Sequence, residues 1–566
     1  MKSRKSLSPI GGLLRRMRAA ETLSEQTGMP ADEALDIVNE GSKLVAGKAS
    51  DDSRRRFLKQ LGLGAAAIGV GAAGAAGSQK ASAAPNGSGN ETNNGGGNDA
   101  GRVAIVGAGV GGLRCAHRLQ KFGIASTVFE GNTRIGGRVR TQRDHFGPGS
   151  ISERGGELIS TEHSYARNLV SELGLDLEDV NGNAVPGGNE LYYVNGQQYT
   201  EHELNAEWRD VYRIFKQTQQ DAPWVPTYDN HNALHRDLDY IDCNSWLDQV
   251  GIGQNSNMGQ VFQADLVAEY GLMPEEMTAL NLIYLLAWNP INSALPLAGT
   301  DERFRIAGGN DQLITRMLDD LPAGTVETGR KLVAIDGDIN GPYTLTFEDG
   351  YVHGCDKLVL AIPFSMLRDV DIAPALYESF RPEKRMAIEQ MTMGSNGKMI
   401  MEFNARPWTE PQYLNGEMYT PNGVVYVGRP ELFDTWDPTS ITGTTHGQLT
   451  NFFGGNYGKT VGNDQPFANP SQDDLNHFFG IVDNAFPGTS NAFTGRAIMN
   501  KWWANPWSKG AYSGPTFGDH TSWWGAQGLQ EGNIHFCGEH TEVEVYGYID
   551  GAISTAERAA TAIHQA

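Results

Sequence analysis

Cysteine is scarce in this chain: there are four in 566 residues, Cys115, Cys243, Cys355 and Cys537, with no CxxC pair and no histidine cluster beside them. That spacing excludes a zinc site or a disulfide framework as the organising feature, and no bound metal is expected. Positive charge is also short. There are 45 Lys and Arg against 67 Asp and Glu, a formal net charge of -22, whereas a surface that neutralises phosphates needs basic clusters, so the balance argues against nucleic acid as a partner. A strongly apolar run of about 20 residues, the length a spanning helix needs, is missing too. The stretch Gly62 to Gly77 is short and built from Gly and Ala, so no stable membrane insertion is expected. What is present is length, too much for one ordinary domain, which predicts two or three cooperating domains around a sizeable core.

The first hundred residues stand apart from the rest. Ser53-Arg54-Arg55-Arg56-Phe57-Leu58-Lys59 precedes the weakly hydrophobic stretch, and Ala81-Ser82-Ala83 offers small residues suited to signal cleavage. The run resembles a twin-arginine export signal. It implies the twin-arginine machinery as a partner and a periplasmic or secreted protein, exported already folded around a cofactor. An uncleaved anchor is the alternative, and the long extension before Arg54 leaves Met17 and Met29 open as translation starts. Residues 1–83 are thus read as a leader with a long N-terminal extension. Residues 84–101, rich in Gly and Asn without hydrophobic period, are read as a flexible linker.

From Arg102 the pattern becomes that of a folded domain. Val103-Ala104-Ile105-Val106 is suited to a buried parallel strand and runs directly into Gly107-Ala108-Gly109-Val110-Gly111-Gly112, followed by a helix-compatible segment from Leu113 to Phe122. Gly107 permits the tight turn, Gly109 lets backbone amides approach a pyrophosphate, and Gly112 lets the helix pack close to the strand, with its positive end toward the phosphates. A second strand, Thr127-Val128-Phe129, ends in Glu130. That is about the 20-residue offset at which a carboxylate meets the ribose hydroxyls of a dinucleotide.

Arg134-Ile135-Gly136-Gly137-Arg138-Val139 then resembles the GGR signature of the flavin amine oxidase family, which includes monoamine oxidases, polyamine oxidases and L-amino acid oxidases. The resemblance covers residues 102 to 564 and makes FAD the expected cofactor, with Gly136 and Gly137 giving room for backbone contact and Arg138 a charge-assisted donor to the pyrophosphate. Ile306 to Leu313 is similar to the family's second glycine-rich turn. Leu332 falls where a backbone group holds the adenine. Asp356 to Pro363 resembles the strand that leaves the FAD domain. Phe536-Cys537-Gly538-Glu539-His540-Thr541 and Gly547-Tyr548-Ile549-Asp550-Gly551-Ala552 complete the match. The resemblance implies that Gly538 and Glu539 approach the pyrophosphate and ribityl chain. It also implies that a helix starting near Ile549 points its positive end at the flavin's pyrimidine edge, where charge accumulates on reduction.

The segment Lys501 to Tyr512 resembles the stretch that meets the flavin ring, so Tyr512 and Tyr548 are the expected walls of an aromatic cage that aligns a neutral amine. Ala511 falls where mammalian monoamine oxidases carry the cysteine bonded to FAD, which implies a non-covalent flavin. Lys398, embedded in the apolar run Gly397 to Phe403, aligns with the family lysine that holds a water and assists reoxidation by dioxygen. In snake-venom-type L-amino acid oxidases a methionine-arginine pair follows the glycine of the first substrate-facing loop and binds the carboxylate. Here the loop reads Arg154-Gly155-Gly156-Glu157-Leu158-Ile159. Either another arginine, such as Arg305 or Arg406, serves the carboxylate, or the substrate is an amine. Glu157 is read either as an attractor for a cationic substrate or as a buried structural acid. Helix-like patterns from His163 to Leu175 and Met258 to Trp288 are expected to wall the substrate funnel.

The expected fold is therefore α/β, a Rossmann-like FAD-binding domain (102–160, 300–370 and 500–566) interleaved with an α+β substrate-binding domain (161–299 and 371–499). The expected activity is oxidative deamination of L-amino acids with dioxygen, giving 2-oxo acid, ammonia and hydrogen peroxide. A monoamine or polyamine oxidase is the alternative; a desaturase-like or non-catalytic flavoprotein is more remote. A homodimer is left open. If the leader reading is right, replacing Arg54 and Arg55 together by lysine strands flavin-loaded protein in the cytoplasm, as read by immunoblotting of cell fractions. Undiminished export of that variant would overturn it.

Overall fold

The alternation of side chains along one short strand sets the layering. In Val103–Val106 successive side chains point to opposite faces. Val103 and Ile105 join a cluster with Leu113, Ala116, Ile553 and Ala556; Ala104 and Val106 join another with Phe129, Ile335, Leu345 and Phe536. The strand is buried on both faces, the situation for which a continuous apolar run is required. It pairs in parallel with Lys357–Leu360 on one side and Ser126–Glu130 on the other. Ile534–Phe536 and Val326–Thr328 extend the sheet to five parallel strands.

The computed structural model describes residues 101–180, 191–295, 300–409, 412–414, 417–419, 425–427, 433–439 and 446–566. The paired arginines, the leader and residues 84–100 of the linker lie outside the described residues. Residues 100–566 form a single compact unit. Among the described residues no helix is long and apolar enough to cross a membrane, and no group of His, Cys, Asp and Glu is arranged to hold a metal ion.

The helix Val110–Lys121 and the C-terminal helix Ile549–Gln565 cover one face of the parallel sheet. Arg114, nearly inaccessible, locks them together: its guanidinium donates to Glu557 at 2.6 Å and to both oxygens of Glu172 at 3.0 and 2.9 Å. The opposite face is covered by a four-stranded sheet built on the antiparallel pair Leu332–Gly337 and Tyr343–Phe347.

A second, eight-stranded sheet has Gly397–Phe403 near its middle, between Gly447–Phe453 and Phe493–Lys501, both antiparallel to it. Every residue of Gly397–Phe403 is buried, so its two charged side chains need partners. Glu402 takes Arg496 at 2.7 Å; Lys398 takes Glu157, as described below. Helices from Glu201 to Leu286 form the wall beside this sheet. The pattern from Met258 to Trp288 was expected to be helix-like throughout, but it forms two helices, Asn257–Tyr270 and Ala279–Leu286. Gly271 ends the first in the left-handed conformation, φ 65°, and the segment leading to the second contains Pro274, which lacks an amide hydrogen to continue a helix.

Candidate active site

The glycine turn after Val106 is built by close contacts that only glycine permits. A methyl group on Gly112 would lie 1.9 Å from the carbonyl oxygen of Gly107, which itself sits at φ 104°. At Gly109, by contrast, an added methyl would meet nothing nearer than the Gly137 Cα at 3.9 Å. Gly109 is also the N-cap of Val110–Lys121, and no side chain caps that helix or puts an acid in its first turn. An open cradle in front of free amides at a helix N-terminus suits a pyrophosphate. Gly136 and Gly137 pass over this cradle with φ of 110° and 57°, Gly136 bridging to Gly109.

Glu130 closes one side of the turn, its two oxygens accepting from the Ala108 and Asn132 amides at 2.8 Å. Burial nevertheless pushes its carboxyl above the ordinary range. The Arg330 amide donates to the Glu130 carbonyl at 2.8 Å, which brings the segment leading into Leu332 alongside, and a register shift between Leu332 and Ala334 interrupts the ladder there. On the other side Gly538, at φ 122°, packs against the glycine turn: a methyl on Gly111 would lie 3.2 Å from its nitrogen. Arg138 donates to Glu539 and to the Ala511 carbonyl, both at 2.6 Å. Burial works against the Glu539 charge, yet Arg138 and the Ser513 hydroxyl hold its carboxyl below the ordinary range. Ile549 opens the C-terminal helix, whose N-cap is Tyr548 and which also lacks a side-chain cap. His540, buried and pushed down to about 3 by burial, leaves both ring nitrogens without a partner. The open cradle, the two uncapped helix ends and these orphaned nitrogens fit an extended dinucleotide cofactor.

Tyr512 and Tyr548 meet beyond this cleft, and both anchor to the same helix end. Tyr512 donates to the Ala268 carbonyl at 2.5 Å. The Tyr548 hydroxyl lies 3.3 Å from carboxylate oxygens of both Glu269 and Glu302. Burial, reinforced by those two acids, raises both phenols well above their ordinary range, so they remain neutral donors.

Lys398 projects from its strand into the loop 153–157. It donates to Glu157 at 2.5 Å, to the Gly155 carbonyl at 3.1 Å and to the Glu153 carbonyl at 3.3 Å, which uses all three ammonium hydrogens. Lys398 and Glu157 are 6% and 5% exposed, so the pair is an enclosed one. Of the two readings open for Glu157, the geometry corresponds to the structural acid, because its charge is already answered. Asn310, from the second glycine turn, fixes the loop by donating to the Gly156 and Glu157 carbonyls.

The two arginines considered for a substrate carboxylate are engaged elsewhere, and this corrects their expected role. Arg305 donates to Glu178 at 2.9 Å and to the Pro438 carbonyl at 2.6 Å; Arg406 donates to Asp437 at 2.9 Å and to Thr439. Each guanidinium balances a carboxylate of its own, and withdrawing Arg406 would strand the buried charge of Asp437. The structure adds residues that the pattern had not singled out: Glu269, Glu302 and His163, whose ring centroid is 4.7 Å from that of Tyr548. Asp265 and Glu269, four apart and the two charged residues in the run from Met258 to Tyr270, were the available signal. Nothing local marks Glu302 or His163.

The sequence profile described as "Flavin containing amine oxidoreductase" matches residues 110–564. An L-amino-acid oxidase of Siganus canaliculatus is 27% identical over 488 residues, covering 83% of this chain and 86% of its own. A flavin-dependent L-tryptophan oxidase of Lentzea aerocolonigenes is 25% identical, covering 82% and 98%. Among solved structures, cyclohexylamine oxidase from Brevibacterium oxydans superposes with a TM-score of 0.68 at 20% identity, over 82% of this chain and 99% of that one.

Gly112→Ala forces the turn open, and overpacking of this kind costs about 1–3 kcal/mol. FAD affinity is expected to fall about tenfold or more, as measured by flavin fluorescence on dilution. Gly480→Ala, at a helix position with nothing within 4 Å of the new methyl, is the control and should leave FAD affinity unchanged.

Proposed function

Because the chain belongs to the flavin-containing amine oxidoreductase family, and so uses FAD, we propose that its Tyr512–Tyr548 cage binds a primary amino group, oxidises the carbon bearing it, and delivers the electrons to dioxygen. The observation that carries this reading is the anchoring of both tyrosine hydroxyls on one helix end, at Ala268 and Glu269, which fixes two ring walls as a pair. FAD, when bound, supplies the two-electron acceptor. The protein's part is to bind and orient. Gly107, Gly109, Gly112, Gly136, Gly137 and Gly538 give backbone room for the cofactor; Glu130, Arg138, Leu332, Glu539 and Ile549 fix its length. The cage holds the neutral amine with its C–H bond directed, so positioning supplies much of the rate. Overall the amine loses two electrons and two protons to become an imine, which water hydrolyses to a carbonyl compound and ammonia, while dioxygen takes up two electrons and two protons to become hydrogen peroxide. Ala511 supports a non-covalent flavin, and Arg54 and Arg55 support export.

For the substrate, L-amino acids are the reading supported by the names of the relatives. A specific observation favours amines as the second reading: Arg305 and Arg406 are both held by carboxylates of their own. If a cation does pair with the substrate carboxylate, removing that carboxylate forfeits a contact of about 1.5–3 kcal/mol, which lowers kcat/KM by about ten- to more than a hundredfold. Phenylalanine against phenethylamine and arginine against agmatine are the pairs to compare by peroxide production. Faster turnover of the amine in each pair would make this a monoamine or polyamine oxidase.

Lys398 is assigned to reoxidation through its positive charge, because Glu153, Gly155 and Glu157 take all three of its hydrogens and none is left to hold a water. Lys398→Met is expected to slow the reaction of reduced flavin with dioxygen far more than reduction by substrate, as resolved by stopped-flow absorbance. It also leaves Glu157 enclosed without a counter-charge, a change that costs about 3–5 kcal/mol. Adding Glu157→Gln should therefore restore thermal stability while the slow oxygen reaction persists. Equal slowing of both half-reactions would reduce Lys398 to a structural role.

A further inference from the structure

The helix Asn257–Tyr270 is buried along nearly its whole length, yet it carries Asp265 and Glu269 into the protein beside the cage. Glu269 approaches Glu302, which comes from a different part of the chain, and the Tyr548 hydroxyl lies 3.3 Å from each. A phenol has one hydrogen to donate, so at any moment one of the two carboxylates receives none from it. Among the described residues no lysine or arginine forms an ion pair with either. The cation that lowers the proton affinity of Glu302 is Lys398, whose charge is already answered by Glu157. Asp265 and Asp434 add further negative potential at Glu269. Glu302 is also held at φ 37°, a left-handed backbone that a glutamate adopts only where the surroundings over-determine it, and such residues cluster at ligand sites.

A separate observation points to a polar ligand here. His163, 2% exposed, packs against the Tyr548 ring. Its Nδ1 accepts from the Ser160 amide at 2.9 Å, and burial pushes its pKa down to about 4, so the neutral ring carries its hydrogen on Nε2. That N–H is buried with no partner. A donor with nothing to donate to and two carboxylates without a counter-charge lie on opposite parts of one cage residue. Unligated, such an arrangement is unfavourable by the desolvation of each group.

Resting on the reading that the cage oxidises an amino group, we infer that Glu269 and Glu302 form a subsite for a second cationic group on the substrate, which makes diamines or basic amino acids the preferred substrate class. The subsite lies at the hydroxyl end of Tyr548, whose ring walls the cage, so the second cation sits a few carbon–carbon bonds from the reacting carbon. The chemistry is an ammonium or guanidinium held by charge-assisted hydrogen bonds, the stronger kind. Titration gives it a direction. Glu302 is pushed up to about 7, by burial first, with Glu157 and Asp301 adding to the shift and Tyr548 and Lys398 opposing it; Glu269 is raised by burial together with Glu302, Asp265 and Asp434. Only the ionised carboxylate attracts the cation, so the preference for a second charge grows as pH rises through about 7.

The test compares cadaverine with pentylamine, and L-lysine with L-norleucine, by anaerobic stopped-flow reduction of the holoenzyme. The dicationic member is expected to have at least about tenfold higher kcat/KM in the pair that the enzyme oxidises, as a charge-assisted contact implies. In Glu269→Gln and in Glu302→Gln that ratio should fall at least about tenfold. A ratio near one, or a ratio that both variants preserve, overturns the subsite while leaving amine oxidation intact. Binding is read separately, as a change in the flavin absorption band on adding cadaverine under argon. If no amine or amino acid reduces the flavin, the oxidase reading fails; a cadaverine-induced band change lost in Glu269→Gln would still support the subsite, and absence of that change would overturn it as well.

Discussion

The pairing of Lys398 with Glu157 is the interaction on which the rest of the site depends. A strand buried on both faces cannot carry an ammonium unless its charge and all three hydrogens are answered. All three partners come from the loop 153–157. The lysine therefore ties the middle of the eight-stranded sheet to the loop that follows the glycine pair of the cofactor region. The loop has no freedom of its own: a methyl on Gly155 would lie 1.9 Å from the Arg138 carbonyl oxygen, and Asn310 holds the next two carbonyls. Arg138 then continues the chain of contacts to Glu539 and Ala511. One buried charge thus sets the relative position of the lysine, the cofactor cradle and the segment that ends in Tyr512.

The same physics separates the charges of the cage into two groups. Lys398 and Glu157 neutralise each other at one end. At the other, Glu269 and Glu302 share a phenol, and burial followed by Glu302 raises the proton affinity of Glu269. Desolvation is tolerated in the first group because it is paired; among the described residues no ion pair answers the second group, and protonation relieves it. The tyrosines, kept neutral by the same acids, present hydroxyl donors and apolar ring faces, which is what a neutral amine requires of its surroundings. The family resemblance accounts for the cofactor side and the tyrosine pair. The acid lining belongs to this chain's own helix Asn257–Tyr270 and to the residues just before Phe304.

Much of this was legible in the sequence, for a local reason. The turn Gly107 to Gly112 and the carboxylate at Glu130 are read from spacing, because backbone approach to a dinucleotide imposes residue types at fixed offsets; the pair Gly136 and Gly137 is read from the family resemblance. Lys398 was legible as a charge in a run otherwise suited to a central strand, and the helix starting at Ile549 forms where its motif implies. The break at Gly271 was visible as a glycine with Pro274 close behind, but the apolar pattern on both sides outweighed it, since periodicity does not register a left-handed cap.

What the sequence determined by itself was the glycine turn after Val106 and the layering of Val103–Val106, because each follows from short-range sterics or a two-residue period. What only the tertiary structure decided was which charges remain available. Arg305 and Arg406 could be named as carboxylate partners until Glu178 and Asp437 were found beside them, and Glu157 stood as either a cation attractor or a structural acid until Lys398 was found against it. Glu269 and Glu302, 33 residues apart by their numbers, converge on Tyr548, far along the chain. A side chain's charge is set by the residues that fold against it, and those partners lie 31 positions away for Arg406 and 241 for Lys398, beyond the reach of a local pattern.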